Sequence, residues 1–187
     1  MKTMLVDRSK EWTVDEFLQL EESSTPCELL NGELVMSPAP TPYHQNVCSN
    51  LNDYLKPAAK KLDGFVFFSP IDLFIDRKNV FQPDLIFVTP QKKHIITNRG
   101  IEGVPDLVVE IVSPHNIFND RNRKKKVYQQ IGVPEYWIVD PAHKTLEVYR
   151  HDQADHDTPF LFLQEEGTVT SSILPGLQFP LEEIFKF

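Results

Sequence analysis

The chain has 187 residues, 41% of them apolar, and its formal net charge at pH 7 is −8. This size predicts one domain over residues 1–187, with enough apolar core to fold without disulfides. The acidic balance disfavours a protein that coats nucleic acid through an overall basic surface, although a local basic strip can still meet a phosphate backbone.

The start of the chain and its cysteines bear on the cellular compartment. Residues 1–6 form no long apolar core before Asp7, and no apolar run approaches the roughly 18 residues that a membrane helix needs. We therefore expect a cytoplasmic protein without a membrane segment. Cys27 and Cys48 are expected to be reduced thiols, and zinc held by them with His44 is disfavoured because paired close spacing is missing.

The first part of the chain contains two helix signals and a tight-turn signal. Thr13, followed three residues later by Glu16, predicts a capped helix start. Asn31-Gly32 predicts the turn of a hairpin over residues 28–36. A helix is predicted over residues 43–61, with one apolar stripe formed by Val47, Leu51, Tyr54 and Leu55.

The remaining sequence predicts strands with one helix among them. The strands cover residues 65–75, 85–88, 107–112, 136–139 and 145–150, and the helix covers residues 120–131. Residues 160–164 and 173–187 are expected to finish the sheet and pack a tail on it. This order predicts a mixed α/β (α+β) fold with a central mixed sheet flanked by helices. Core positions, not a base-stacking platform, are predicted for six aromatic residues in apolar runs: Phe65, Phe67, Phe68, Phe74, Phe81 and Phe87.

Two apolar strand runs each carry one acid. Asp84 opens the run at residues 85–88, and Glu110 lies inside the run at residues 106–112. An unpaired buried charge costs several kcal/mol, so a carboxylate in such a strand usually has a cation. A divalent metal held by both acids is one candidate, with Lys124 as a third charge. The alternative also stands: Asp84 caps a turn, and Glu110 belongs to a structural ion pair.

Two acids and a lysine suit phosphodiester hydrolysis. A metal polarises the phosphoryl oxygen and lowers the pKa of water, and an ammonium orients the attacking water or offsets charge in the transition state. Three charged residues are a weak motif by themselves, so the ordinary structural interpretation carries similar weight at this point.

Longer motifs around these acids carry a family resemblance. They are CELLNGEL at 27–34, MSP at 36–38, His44, QPDL at 82–85, VEIVSP at 109–114, the stretch 120–128, and GVPEYWIVD at 132–140. In order and spacing they resemble the Uma family of restriction endonucleases, a branch of the PD-(D/E)XK nuclease superfamily. The resemblance implies a restriction-endonuclease-like core, magnesium or manganese as cofactor, and nucleic acid as partner, with DNA favoured over RNA. A homodimer is compatible with these features.

The chain departs from the superfamily pattern at one position. The pattern places a lysine two residues after the acid, but Val112 follows Glu110 at that distance. The resemblance implies a lysine moved to the next helix, and Lys124 fits because it stands four residues after Asp120 and four before Tyr128.

Neighbouring cations leave other assignments open. Lys125 or Lys126 could enter the site in place of Lys124, and the whole run at residues 121–126 could be a solvated basic face. Together with Lys92, Lys93 and Arg99, the run could also form the strip that meets a nucleic-acid backbone.

Two further residues are auxiliary candidates. The resemblance implies that Glu28 serves as an auxiliary acid that completes the metal shell. His44 is a candidate ligand, proton carrier or phosphate contact, or a structural histidine. Two other functions compete with an endonuclease: a non-catalytic nucleic-acid-binding or assembly domain, and an oligomer whose acids form internal ion pairs. The latter is favoured if Glu110 contacts a cation and no cleft opens beside it.

Overall fold

The computed structural model describes residues 10–20, 27–36, 38–113 and 117–187. Residues 1–7, Ser37 and Pro114, which entered the sequence argument, lie outside the described residues. Within these ranges, no helix is both long enough and apolar enough to cross a membrane.

The described chain forms thirteen strands and four α-helices. The strands are β1 (Cys27–Leu30), β2 (Glu33–Met36), β3 (Phe65–Phe68), β4 (Leu73–Asp76), β5 (Asn79–Phe81), β6 (Leu85–Val88), β7 (Ile101–Glu102), β8 (Leu107–Ile111), β9 (Glu135–Asp140), β10 (Thr145–Arg150), β11 (Leu161–Gln164), β12 (Thr168–Thr170) and β13 (Gln178–Pro180). The helices are α1 (Val14–Phe17), α2 (Pro42–Lys60), α3 (Lys125–Gln130) and α4 (Leu181–Ile184), with a 3-10 helix at Pro90–Ile95 and a π-helix at Asn119–Lys124.

A six-stranded main sheet organises the core. Its strand order is β11-β10-β9-β8-β6-β3, with β8 and β9 parallel and the other neighbours antiparallel. Helix α2 packs on one face, and α3 with a second, five-stranded sheet of order β2-β1-β5-β4-β7 covers the other. The predicted mixed fold with a central sheet is confirmed. A second sheet, in addition to the helices, covers much of one face of that central sheet.

Local sequence signals account for the first elements. Thr13 and Glu16 form the predicted capping box of α1. Asn31 and Gly32 both adopt positive φ, 53° and 78°, as the tight turn between β1 and β2 requires. Thr41 caps α2 by accepting a hydrogen bond from the backbone N–H of His44. The predicted capping box and tight turn are confirmed, and the Thr41 cap is a further signal that the structure adds.

The structure corrects four other expectations. The predicted strand at 65–75 is two strands in different sheets, because Pro70 cannot donate a ladder hydrogen bond. Strand β13 pairs with β12 in a separate two-stranded sheet, so only β11 extends the main sheet. Phe68 is exposed, not in the core, because β3 lies at the edge of the main sheet. The predicted helix at 120–131 begins as a π-helix.

Glu135 ties the C-terminal segment to the main sheet. Its carboxylate is fully buried and accepts hydrogen bonds from the Trp137 indole, from both hydroxyls of Ser171 and Ser172, and from the Ser172 backbone N–H, at 2.6–2.9 Å. Replacing Glu135 by Ala should lower the free energy of unfolding by roughly 3 kcal/mol, because it leaves these buried donors without an acceptor. Urea denaturation measures the loss, and Glu166→Ala, at an exposed position, is the control that should change little.

Candidate active site

The ladder between β6 and β8 brings the two predicted acids together. Leu85 lies opposite Val109 in this antiparallel pair, so the preceding Asp84 and the following Glu110 are the next positions in register. Residues opposite each other in such a ladder are close neighbours on one face of the sheet. Both acids line a cavity of about 380 Å³. Asp84 is held there by its Oδ2, which accepts a hydrogen bond of 2.7 Å from the backbone N–H of Ile111.

The ammonium of Lys124 lies among three carboxylates beside this pair. Lys124 Nζ is 2.8 Å from Glu28 Oε1, 3.2 Å from Glu110 Oε1 and 3.4 Å from Asp120 Oδ1. Only 3% of the Lys124 surface is exposed, and all three acids are buried. We call Glu28, Glu110 and Asp120 the acidic cluster. It joins β1, β8 and the π-helix at one buried point.

Burial and the neighbouring opposite charges shift the pKa of each of these groups in opposite directions. Burial raises the pKa of Glu110 well above its usual range, although Lys124 opposes the shift. Burial likewise raises the pKa of Asp120 to about 6. Burial by itself would lower the pKa of Lys124, but the charges of Glu110, Glu28 and Asp120 outweigh it and raise that pKa. The lysine is therefore charged at neutral pH, while Glu110 keeps its proton to a higher pH than an ordinary carboxyl group.

Two neutral donors fix the acids further. Tyr128 donates its hydroxyl hydrogen to Glu110 Oε1 at 2.8 Å, and burial raises the pKa of Tyr128 so that it remains a donor. The backbone N–H of Gln82 donates to Glu28 Oε1 at 2.7 Å. Glu110 Oε2 accepts no hydrogen bond from any residue in the described ranges.

His44 reaches the same cavity from the first turn of α2. Its Nε2 lies 2.9 Å from the carbonyl oxygen of Ile111 and 3.4 Å from Asp84 Oδ1. Burial lowers the pKa of His44, but the hydrogen bond and charge of Asp84 outweigh it and raise the pKa above its ordinary value of 6.5. His44 Nε2 is thus placed to donate a hydrogen bond to the carbonyl oxygen of Ile111 or to Asp84, beside the start of β6 and the end of β8.

The neighbouring lysines point elsewhere. Lys125 Nζ lies 3.8 Å from the centre of the Tyr149 ring and donates to the carbonyl oxygen of Asp157 at 3.2 Å. Lys126 is exposed. Of the three consecutive lysines, Lys124 is the one that lines the cavity.

The idea of a solvated basic face at residues 121–126 is wrong. Arg121 pairs with Asp140 and Glu147, and Arg123 pairs with Glu33. The other cations proposed for a backbone-binding strip are also engaged: Lys92 with Asp106, Arg99 with Glu102, and Lys93 over the ring of Phe65. Internal partners therefore take up most of these charges.

All five predicted site residues line one cavity: Glu28, His44, Asp84, Glu110 and Lys124. Their roles in a reaction stay predictions. Asp120 was not among the predicted site residues, although its spacing before Lys124 was the available signal. Across the part of the chain that is described, no three His, Cys, Asp or Glu side chains converge as a complete metal-binding group. The ammonium of Lys124 lies at the point where three of the carboxylates meet.

Comparisons with known proteins agree with the fold and with the resemblance seen in the sequence. The model of a family described as "Uma2: Putative restriction endonuclease" matches residues 14–182. A crystal structure of a putative nuclease belonging to DUF820 from Anabaena variabilis aligns with a TM-score of 0.76 at 21% identity, over 92% of this chain and 97% of that chain. At that identity the likeness shows the fold alone. The search of curated proteins finds no match.

The raised pKa of Glu110 has a measurable effect on stability. The folded state keeps this proton to higher pH than the unfolded state, so the cost of ionising Glu110 appears as the pH rises above the ordinary value of 4.5. Glu110→Gln should therefore raise the free energy of unfolding of the metal-free protein at pH 8, on the order of 1–2 kcal/mol, and the gain should shrink toward pH 4. Urea denaturation from pH 4 to pH 8 measures it, and a gain that grows toward low pH would contradict the assignment.

Removal of the central cation should have the opposite effect. Lys124→Met leaves three buried carboxylates without their counter-ion, which should cost roughly 3 kcal/mol or more at pH 8. The loss should be smaller at pH 5, where the acids with raised pKa take up protons. Denaturation at both pH values tests this, with Lys126→Met at an exposed position as the matched control. Equal losses for the two variants would show that the cluster does not depend on Lys124.

Proposed function

Because the chain belongs to the Uma2 family of putative restriction endonucleases, we propose that it is a metal-dependent phosphodiesterase that cleaves DNA. The observation that carries this proposal is the open cavity beside Asp84, Glu110 and Lys124. The alternative of acids in internal ion pairs expects no cleft beside Glu110, whereas a cavity of about 380 Å³ opens there.

The oxygen atoms that remain available fit a hard divalent cation. Glu110 Oε2 has no hydrogen bond within the described ranges, and Asp84 Oδ1 has His44 as its neighbour at 3.4 Å. Magnesium typically binds through one or two carboxylates and completes its shell with water and substrate phosphates. Asp84 and Glu110 would hold magnesium or manganese, which supplies polarisation of a phosphoryl oxygen and a lowered pKa of water.

The side chains around the cavity would supply the other functions that the reaction needs. Lys124 keeps its charge in the site and offsets negative charge that develops on the phosphoryl group. Tyr128 holds Glu110 in place through Oε1 and leaves Oε2 to face other partners. His44, beside Asp84, is an auxiliary group that can contact phosphate or carry a proton. Glu28 is the auxiliary acid, in direct contact with Lys124.

A non-catalytic nucleic-acid-binding or assembly domain is the second candidate. The contact between Glu110 and Lys124 meets one of the two conditions for acids that form structural ion pairs, but the cavity beside Glu110 does not meet the other. The basic residues at 121–126 are mostly paired internally, which weakens a purely electrostatic grip on DNA. An activity measurement separates the two candidates.

Cleavage should depend on the metal and on the two strand acids. Parent protein with magnesium or manganese should cut plasmid or oligonucleotide DNA, and EDTA should stop the reaction. Asp84→Asn and Glu110→Gln should each lower the rate by about a hundredfold or more, while the stability of the metal-free variants holds or rises. Lys126→Ala, at an exposed position outside the cavity, should keep most of the activity.

The design also decides the alternatives. RNA and DNA oligonucleotides of the same sequence, compared side by side, test the preference for DNA. If the parent cuts nothing with either metal and both acid variants melt much earlier than the parent, the acids are structural ion-pair partners. The non-catalytic function would then replace the nuclease.

A further inference from the structure

Asp120 is a buried acid to which the proposed function assigns no role. Only 3% of its surface is exposed, and its Oδ1 accepts no well-formed hydrogen bond in the described structure. That atom lies 3.4 Å from Lys124 Nζ and at the wall of the cavity. The backbone carbonyl of Asp120 accepts a hydrogen bond of 2.9 Å from the buried Tyr136 hydroxyl. The fold therefore holds this acid where burial of its charge is costly.

Asp120 and Lys124 lie four residues apart in one helical segment, so their side chains meet on one face. Both belong to the π-helix at Asn119–Lys124, which precedes α3. Single π-turns are rare and occur frequently at functional sites. Lys124 is the last residue of that segment, and Tyr128, four residues on in α3, also contacts Glu110.

Glu28, on strand β1, contacts the same ammonium. Its Oε1 is the closest acceptor to Lys124 Nζ, at 2.8 Å, and the same atom accepts the backbone N–H of Gln82 at 2.7 Å. One oxygen of Glu28 is thus committed to the lysine and to the backbone just before β6. These contacts place Glu28 where it can hold the ammonium of Lys124 in position.

We propose that Glu28 and Asp120 are positioning residues that clamp the ammonium of Lys124 beside Glu110. The lysine side chain has a long flexible stem, so the ion-pair contacts with Glu28 and Asp120 restrict the position of the ammonium, which donates a hydrogen bond to Glu110 Oε1. The clamp leaves Asp84 and Glu110 Oε2 to a metal and assigns Glu28 to the lysine instead of to the metal shell. The effect of this clamp on the reaction rate rests on the proposed function, but the clamp itself does not.

A direct test observes the Lys124 ammonium in the metal-free protein. In protein labelled with ¹⁵N at lysine Nζ, a buried and hydrogen-bonded ammonium should give a slowly exchanging proton signal, which Lys124→Arg identifies by its disappearance. Asp120→Asn and Glu28→Gln, on two different elements, should each shift this signal or broaden it away. Asp84→Asn is the matched control, because Asp84 lines the same cavity and forms no ion pair with Lys124. A signal that is unchanged in a folded Asp120→Asn or Glu28→Gln protein would overturn the clamp.

Kinetics supply the second readout. Misplacement of a catalytic group by a distant change can cost about a hundredfold, so Asp120→Asn should lower kcat by about ten- to hundredfold. The magnesium concentration at half-maximal rate should change far more in Asp84→Asn than in Asp120→Asn. A variant of Asp120 that keeps the parent kcat would overturn the positioning role. If the parent itself cuts nothing while the ammonium signal responds as expected, the proposed nuclease fails and the clamp stands.

Discussion

The buried ammonium of Lys124 is the interaction on which the candidate site depends. It contacts Glu28 from the second sheet, Glu110 from the main sheet and Asp120 from the π-helix. An isolated buried carboxylate costs several kcal/mol, so a cation at this point offsets the cost of burying these acids. The lysine therefore joins three parts of the fold and keeps their carboxylates within reach of one another. The same contact therefore arranges the site and stabilises the fold.

The charge count around this contact explains why the site suits a cation. Four acids line the cavity, and Lys124 supplies one positive charge, so three negative charges remain if every acid is ionised. His44 can balance one of them when protonated, because its pKa is raised by Asp84 against the effect of burial. The raised pKa of Glu110 reflects the same surplus in addition to burial. Protons or a divalent cation relieve this surplus, and the chemistry of the carboxylates favours a hard metal.

Local signals in the sequence predicted the elements that carry the site, but not every residue in it. Asp84 and Glu110 could be singled out because acids are rare in apolar runs, and the structure adds the antiparallel ladder that brings them together. Asp120 was not recognised as a site residue, although its four-residue spacing before Lys124 was a signal for it, because the contact between the two side chains is seen only in the structure. Strands β5 and β7, of three and two residues, are likewise too short for a pattern, so the second sheet was not predicted.

An acidic chain whose arginines at 121 and 123 pair with its own acids does not readily bind a polyanion. Arg121 and Arg123 are bound to internal acids, so phosphate contacts from the run at residues 121–126 are limited. The cavity itself repels phosphate as long as its acids are ionised and unneutralised. A divalent cation between Asp84 and Glu110 would offset most of that negative charge where the scissile phosphate must lie. On the proposed function, substrate binding and catalysis therefore depend on the same ion, and affinity for DNA without metal should be weak.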